Sequence, residues 1–181
     1  MASARLKELY NEKIKFDLKE KLNLSNIMKV PKITKIVLNV GVKEAVADSK
    51  ALQHVLQVIS NVSGQLPVKC LARKSIATFK IRTGMPIGVK VTLRNDRMYE
   101  FLDRLINLAL PKVRDFQGVP VKFDKSGNYN LGIRDWVMFP EADLVAQEKS
   151  HGLNITICTT ADEDEHAYEL LKSFGMPFRK K

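Results

Sequence analysis

Cations and an aromatic residue alternate in one short stretch of this sequence, without a neighbouring acid. The stretch ARKSIATFKIRTGMPIG spans residues 72–88, and its cations are Arg73, Lys74, Lys80 and Arg82. A solvated surface usually mixes both signs, so a run of one sign indicates a surface that meets a polyanion. Phosphates would bind to the cations, and Phe79 could stack on a base or a ribose.

Other residues of the same stretch suit this chemistry. Ser75 and Thr78 could add hydroxyl contacts, and Gly84 would allow a close approach of the backbone. The alternative is a hairpin tip whose apolar residues, Ile76, Phe79 and Ile81, fold back onto the core. The sequence alone leaves both interpretations open.

Charge is distributed unevenly along the chain. Residues 49–95 contain no Asp or Glu but eight Lys and Arg residues. Residues 141–181 carry eight acids against five bases, so this acidic C-terminal portion has a net charge of −3 and the preceding 140 residues carry +13. The total of +10 favours nucleic acid or another acidic surface as the partner.

Length and composition indicate a folded chain. With 181 residues, 45% hydrophobic and 28% charged, we expect a single domain over residues 1–181 with a proper core. The two cysteines, Cys70 and Cys158, lie far apart, so neither a disulfide framework nor a zinc site is expected. The charged N-terminal segment and short apolar runs predict no export signal and no membrane partner.

Motifs of catalysis are absent from the sequence. It contains no GxxxxGK[ST], GxGxxG, GxSxG or HExxH segment. The acids at 162–165 could hold Mg²⁺, but successive residues at a helix start point in different directions, which favours interaction with the helix dipole. We therefore expect no enzyme, no cofactor and no metal.

Hydrophobic periodicity predicts a mixture of helices and strands. We predict helices near residues 6–22, 48–64, 96–111 and 162–175, with Ser3 as a possible cap of the first, and strands near 35–43, 66–71, 87–94 and 153–160. Residues 113–136 are rich in Gly, Pro, Asn and Asp, which predicts short strands and turns. These elements favour an α+β fold: a mostly antiparallel or mixed sheet with helices packed on one face and a long basic loop at 72–88.

Polar residues on alternate strand positions would form the exposed face of this sheet. Lys35, Asn39 and Lys43 share one strand face, and Lys90 and Arg94 share another with Thr92. An open polar sheet face with basic edges suits RNA binding. An ordinary solvated face is the alternative, and the absence of acids from residues 49–95 favours RNA.

Segments throughout the chain closely resemble the family of the fifth large-subunit ribosomal protein, which binds 5S ribosomal RNA. The similar segments occur in family order: PKITKIVLNVGVKEA, ISNVSGQLPVKCLARKS, FKIRTGMPIGVKVTLR, RDFQG, GNYNLGIRD, FPE, GLNITICTTA and PFRK. Asp135 and Trp136 stand where Glu-Gln is frequent in the family, and we expect Trp136 to alter a contact surface there.

The resemblance implies a structural role in the cytoplasmic large ribosomal subunit. Family members attach 5S rRNA in the central protuberance, so the implied partners are 5S rRNA, large-subunit rRNA and other 5S rRNA-binding large-subunit proteins. The residues that we assign to 5S rRNA are Lys32, Lys35, Asn39, Gly41, Lys43, Ser63, Gly64, Gln65, Lys90 and Arg94.

The family's long loop reaches the peptidyl-site tRNA. Carried over to residues 72–88, this implies tRNA contact by Arg73, Lys74, Ser75, Thr78, Phe79, Lys80, Arg82 and Gly84. The family also bridges to the thirteenth small-subunit ribosomal protein, and we assign Arg114, Asp115, Glu141 and Asp143 to this bridge. A non-ribosomal RNA chaperone and an enzyme remain the rival classes.

Overall fold

A computed structural model describes residues 4–46, 48–143 and 151–179 of the chain. The α-helices are α1 (Arg5–Leu9), α2 (Lys15–Lys21), α3 (Ser49–Ser63), α4 (Asn95–Arg104), α5 (Pro140–Asp143) and α6 (Asp164–Ser173). The strands are β1 (Ile33–Gly41), β2 (Val68–Leu71), β3 (Pro86–Leu93), β4 (Tyr129–Ile133) and β5 (Leu153–Thr159).

Shorter helical segments complete the secondary structure. Two π-helical segments, Tyr10–Ile14 and Leu105–Ala109, continue α1 into α2 and extend α4. Turns of 3₁₀ helix occur at Ile27–Lys29, Lys43–Val46, Ala77–Phe79, Leu110–Lys112 and Trp136–Met138. The four predicted helices are therefore present with shifted ends, although Ser3, the possible first cap, lies outside the described residues.

Helix α3 begins and ends as its sequence predicts. The Asp48 side chain accepts a hydrogen bond of 2.8 Å from the backbone N–H of Lys50, which satisfies a donor of the first turn. Gly64 follows the helix with φ of +64°, a left-handed conformation that glycine adopts without steric cost. The buried face of the helix carries Leu52, Val55, Val58, Ile59 and Val62.

The five strands form one sheet in the order β2-β3-β1-β5-β4. Strands β4 and β5 bury alternate side chains and leave polar or small residues on the opposite face, as the period of two requires, and in β1 burial alternates from Ile36 to Gly41. Strands β2 and β3 are antiparallel, and their register shifts opposite Cys70 and Leu71, where Ile87 is an extra residue of β3. The α+β fold is therefore confirmed.

A glycine sets the close approach of β3 to β1. A Cβ atom at Gly88 would lie only 2.7 Å from the carbonyl oxygen of Val40. The backbone N–H of Val42 donates a 3.0 Å hydrogen bond to the carbonyl of Ile87, so the two segments continue to pair at the end of β1. The close contact between the strands thus explains why position 88 is a glycine.

The chain divides into two compact units, each built from segments that are distant in sequence. The first unit contains Met1–Ile36, Leu93–Leu131 and Thr156–Lys181, and the second contains Val37–Thr92 and Gly132–Ile155. An interpretation as one domain over residues 1–181 stays a prediction. No helix within the described ranges is long and apolar enough to cross a membrane.

Each unit has its own aromatic packing. In the first unit, the ring of Tyr10 stacks on that of Phe174 at 6.0 Å between centroids, and the Tyr10 hydroxyl donates to the carbonyl of Pro31. Burial raises the pKa of Tyr10 to about 12, so the phenol stays protonated. In the second unit, Trp136 packs against the rings of His54 and His151.

Candidate nucleic-acid interface

The segment 72–88 extends the β2–β3 hairpin through backbone hydrogen bonds. The backbone N–H of Ala72 donates to the carbonyl of Met85 at 2.8 Å, and Ile76 and Ile81 exchange backbone hydrogen bonds of 3.0 and 3.3 Å. Strand β3 begins at Pro86, so the predicted loop shortens at its far end. The backbone of the hairpin therefore fixes where its side chains project.

Side chains and turns brace the hairpin tip. The Ser75 hydroxyl accepts a 3.0 Å hydrogen bond from the N–H of Thr83 and lies 3.2 Å from the Thr83 hydroxyl. Ser75 thus already has intramolecular partners, whereas Thr78 is exposed in the 3₁₀ turn Ala77–Phe79. Lys80, with φ of +55°, and Gly84, with φ of +87°, take the left-handed conformations that reverse the chain.

The four predicted phosphate-binding cations all project into solvent. Arg73, Lys74, Lys80 and Arg82 are exposed, and within the described ranges none of them forms an ion pair. Two cations of the first unit differ from them: Lys7 Nζ lies 2.7 Å from Asp96 Oδ1, and Arg5 lies 2.6 Å from Asp103. The hairpin charges are therefore available to an external anion.

Phe79 does not fold back onto the core. Its side chain is 67% exposed, and Ile76 is 41% exposed. This geometry disfavours the alternative in which these residues anchor the hairpin to the interior. Phe79 instead lines a groove of about 540 Å³ together with residues at the end of β1 and the start of β3.

The second unit carries much of the predicted polar sheet face. Asn39 and Gly41 of β1 are exposed, as are Lys43 just beyond the strand and Lys90 of β3. A Cβ at Gly41 would meet no atom within 4 Å, so open space lies over this position. Val68 pairs with Lys90 and is 60% exposed, an apolar member of this face that the hydrophobic pattern did not single out.

The residues after α3 divide between support and exposure. Ser63 was assigned to RNA contact, but its side chain is only 2% exposed, and its hydroxyl donates a 2.9 Å hydrogen bond to the carbonyl of Gln65. Ser63 therefore shapes the helix end instead of lying on the surface. Gly64 is exposed, while half-buried Gln65 donates from Nε2 to the carbonyl of Thr92 at 3.4 Å.

Three further predicted RNA contacts belong to the first unit. Lys32 is exposed and precedes β1, where its backbone exchanges hydrogen bonds with Thr160. Lys35 is half-buried on β1, and Arg94 is exposed directly after β3. These positions are compatible with phosphate contact, and their assignment stays a prediction.

The predicted bridge residues differ in accessibility. Arg114 and Asp115 are exposed in a turn of the first unit, where Asp115 has φ of +54°. Glu141 in the second unit is half-buried, with its Oε2 atom enclosed. The side chain of Asp143 lies outside what the structure describes.

Trp136 does not form a surface feature, contrary to the expectation from the sequence. Its side chain is 0% exposed, and the ring of His151 lies 5.2 Å from it between centroids. Within the described part of the chain, no group of three or more His, Cys, Asp or Glu residues has the arrangement of a metal site.

Comparisons with known proteins cover nearly the whole chain. A family model described as Ribosomal protein L5 matches residues 26–82, and a second model, which describes the C-terminus of the same ribosomal family, matches residues 86–178. The Large ribosomal subunit protein uL5 of Syntrophotalea carbinolica is 54% identical over 179 residues, which cover 98% of this chain and 97% of that protein. The chain belongs to the ribosomal protein L5 family.

Membership of the L5 family confirms the coarse functional prediction. The chain is a structural, non-enzymatic constituent of the large ribosomal subunit and takes part in translation. It is accordingly part of the large subunit together with the rRNA of that subunit, and its location there is confirmed. The boundary between the two family matches falls at residues 82–86, in the arm of the hairpin that leads into β3.

Proposed function

We propose that this L5 family member binds 5S rRNA and attaches it in the central protuberance, while its basic hairpin contacts the peptidyl-site tRNA. One observation supports this proposal above all: a hairpin with a paired backbone presents four exposed cations that lack ion pairs within the described ranges. A second component is a bridge to the thirteenth small-subunit ribosomal protein.

The polar sheet face of the second unit is the proposed 5S rRNA surface. Asn39 can donate and accept hydrogen bonds, Lys43 and Lys90 supply charge, and Gly41 leaves room for the RNA backbone. Such a surface recognises RNA by shape and phosphate position. Ser63 contributes through Gln65, whose position its buried hydroxyl helps to fix.

The hairpin is the proposed tRNA contact. Its paired backbone holds Arg73 and Arg82 outside the folded body without support from an acid. Backbone pairing along the hairpin reduces the conformational entropy that the segment loses on binding. Phosphate contacts of this kind position the tRNA without reading its sequence, as a site for many tRNAs requires.

The bridge is proposed for the turn of Arg114 and Asp115. Both side chains are exposed, so they can meet another protein without unfolding this one. The enclosed Oε2 atom makes Glu141 less suited to a sliding contact, because burial limits its access to a partner. Other large-subunit proteins that bind 5S rRNA remain proposed neighbours.

Equilibrium binding to 5S rRNA tests the central proposal. We expect a preference of about a hundredfold or more over an unrelated structured RNA of similar length, persisting near physiological salt, because shape and base contacts add to charge. Equal affinities that fall together as salt rises would support a general RNA chaperone and contradict a dedicated 5S rRNA site.

The same salt series with tRNA tests the hairpin. The double variant Lys74→Ala/Arg82→Ala should weaken tRNA binding and reduce the salt slope by about 0.7–0.9 for each lost phosphate contact. The matched control is Lys13→Ala/Lys112→Ala, which removes two exposed lysines of the first unit. Equal effects of both double variants would show that net charge, and not the hairpin, determines binding.

A further inference from the structure

A groove in the second unit combines apolar walls with two cations. Val42 and Ile87 contribute its apolar side from the strands, and Phe79 and Ile81 contribute from the hairpin. Lys43 and Lys80 also line it. Neither lysine has an ion pair with any residue in the described ranges.

The size and composition of the groove define what it can hold. At about 540 Å³ it is within the ordinary range for small-ligand sites, roughly 300–1,000 Å³. Its aromatic wall, Phe79, is 67% exposed, so a flat ring can reach it without a rearrangement of the core. Exposed lysines among these walls favour a ligand that also carries negative charge nearby.

We propose that this groove accepts one unpaired nucleobase of a bound RNA, with the flanking phosphates on Lys43 and Lys80. This inference rests on the proposed RNA-binding function and adds a mode of recognition to it. A base has an apolar, stackable face and is joined to phosphates on both sides, which matches both components of the groove. A paired base inside a duplex could not enter, so the ligand is a loop, a bulge or a flipped nucleotide.

The geometry also separates the groove from the purely electrostatic contacts. Arg73, Lys74 and Arg82 do not line it, and their contribution depends on phosphate charge alone. A stacked base contributes without ion release. Removal of the Phe79 ring should therefore lower affinity and leave the salt dependence unchanged.

The test compares Phe79→Ala with Phe79→Tyr in the full chain. We expect Phe79→Ala to weaken RNA binding about five- to a hundredfold with an unchanged salt slope, and Phe79→Tyr to retain most of the affinity. Ile76→Ala is the matched control, because Ile76 is exposed in the same hairpin but does not line the groove. Heparin serves as a polyanion without bases, and both Phe79 variants should bind it like the unchanged protein.

Experiments with two RNAs show which of them supplies the inserted base. Wild-type protein and Phe79→Ala are each bound to 5S rRNA and to tRNA, and unpaired bases are probed with dimethyl sulfate. A base protected by the wild type and released in Phe79→Ala supports the proposal and identifies the RNA that supplies it. Unchanged affinity and unchanged protection on both RNAs would overturn the groove proposal.

The proposed function and the groove can fail separately. If 5S rRNA is strongly preferred but Phe79→Ala has no effect, only the groove proposal is wrong. If the wild type shows no preference for 5S rRNA and the loss in Phe79→Ala is still confined to RNA, the 5S site is wrong and base insertion stands. An equal loss on heparin would overturn base insertion, because heparin has no base to lose.

Discussion

At the scale of single residues, the cations differ chiefly in their neighbours. Arg5 donates from Nε and from an Nη atom to both carboxylate oxygens of Asp103, a two-bond geometry that matches a guanidinium to a carboxylate. Arg73 and Arg82 have no such partner in the described ranges. Arginines of one chain thus serve the fold at one site and remain available for a ligand at another.

The Arg5–Asp103 pair should make stability depend on pH. The hydrogen bond from Arg5 lowers the pKa of Asp103 below its ordinary value of 3.8, an effect that partial burial opposes and a hydrogen bond from Asn107 reinforces. A lowered pKa in the folded state means that the stabilisation is present above pH 3.8 and is lost as the pH falls through the folded-state pKa.

We therefore expect Asp103→Asn to melt a few degrees below the wild type at pH 6 and to converge with it as the pH falls through the folded-state pKa of Asp103. The shift stays small because the pair is accessible to solvent. Thermal unfolding followed by circular dichroism at several pH values measures it. Exposed Asp17→Asn provides the control, and a gap for Asp103→Asn that is the same at all of these pH values would contradict the linkage.

At the scale of elements, glycine is present at two positions on paired strands for different physical reasons. Gly88 of β3 lies against the backbone of β1, where a Cβ would come within 2.7 Å of the Val40 carbonyl oxygen. Gly41 at the end of β1 faces open space, and its φ is not in the left-handed region. One glycine is thus required by the fold, whereas the other leaves a surface accessible.

Alanine at these two positions should affect the stability of the fold to different extents. Gly88→Ala should lower the free energy of unfolding by about 1–3 kcal/mol, because the methyl group forces the strands apart. Gly41→Ala should change it by less than about 0.5 kcal/mol. Urea titration measures both, and a destabilisation of Gly41→Ala as large as that of Gly88→Ala would show that the steric argument is wrong.

Local sequence signals predicted the elements better than they predicted the surface. The alternation of Ile36, Leu38 and Val40 marked the buried face of β1 because strand periodicity depends only on neighbours in sequence. The burial of Ser63 was missed although Ser63 follows Ile59 by four residues on the buried face of α3, because a serine does not register in an apolar pattern. The burial of Trp136 was missed because it depends on residues distant in sequence. The groove beside Phe79 was missed for the same reason, since it requires β1, β3 and the hairpin together.

At the scale of the whole molecule, the sequence separates a strongly basic portion of +13 from a C-terminal portion of −3. The net positive charge raises the rate of encounter with RNA and favours no particular site. Binding of RNA at a particular site therefore depends on which parts of the surface lack acidic residues, and the hairpin is one of them. Contacts with a basic protein require the opposite, an accessible acid.

The proposed bridge can be tested at such an acid. Asp115→Asn removes one charge and keeps a residue that tolerates φ of +54°. If Asp115 meets a basic small-subunit protein, large subunits carrying this variant should join small subunits about two- to fivefold more weakly, as for one exposed ion pair. Sucrose-gradient sedimentation at graded Mg²⁺ measures joining. Asp17→Asn is the control, and equal joining by both variants would contradict this bridge assignment.

Strand β2 affects the tendency of the protein to aggregate before it binds RNA. It lies at an edge of the sheet and exposes Val68 and Leu71, a combination that invites strand pairing between molecules. Exposed Lys69 between them opposes such pairing, and so does the shift in register opposite Cys70 and Leu71, where β3 has an extra residue. This edge of the sheet therefore carries both a risk of aggregation and features that lower this risk for protein not yet assembled into a ribosomal subunit.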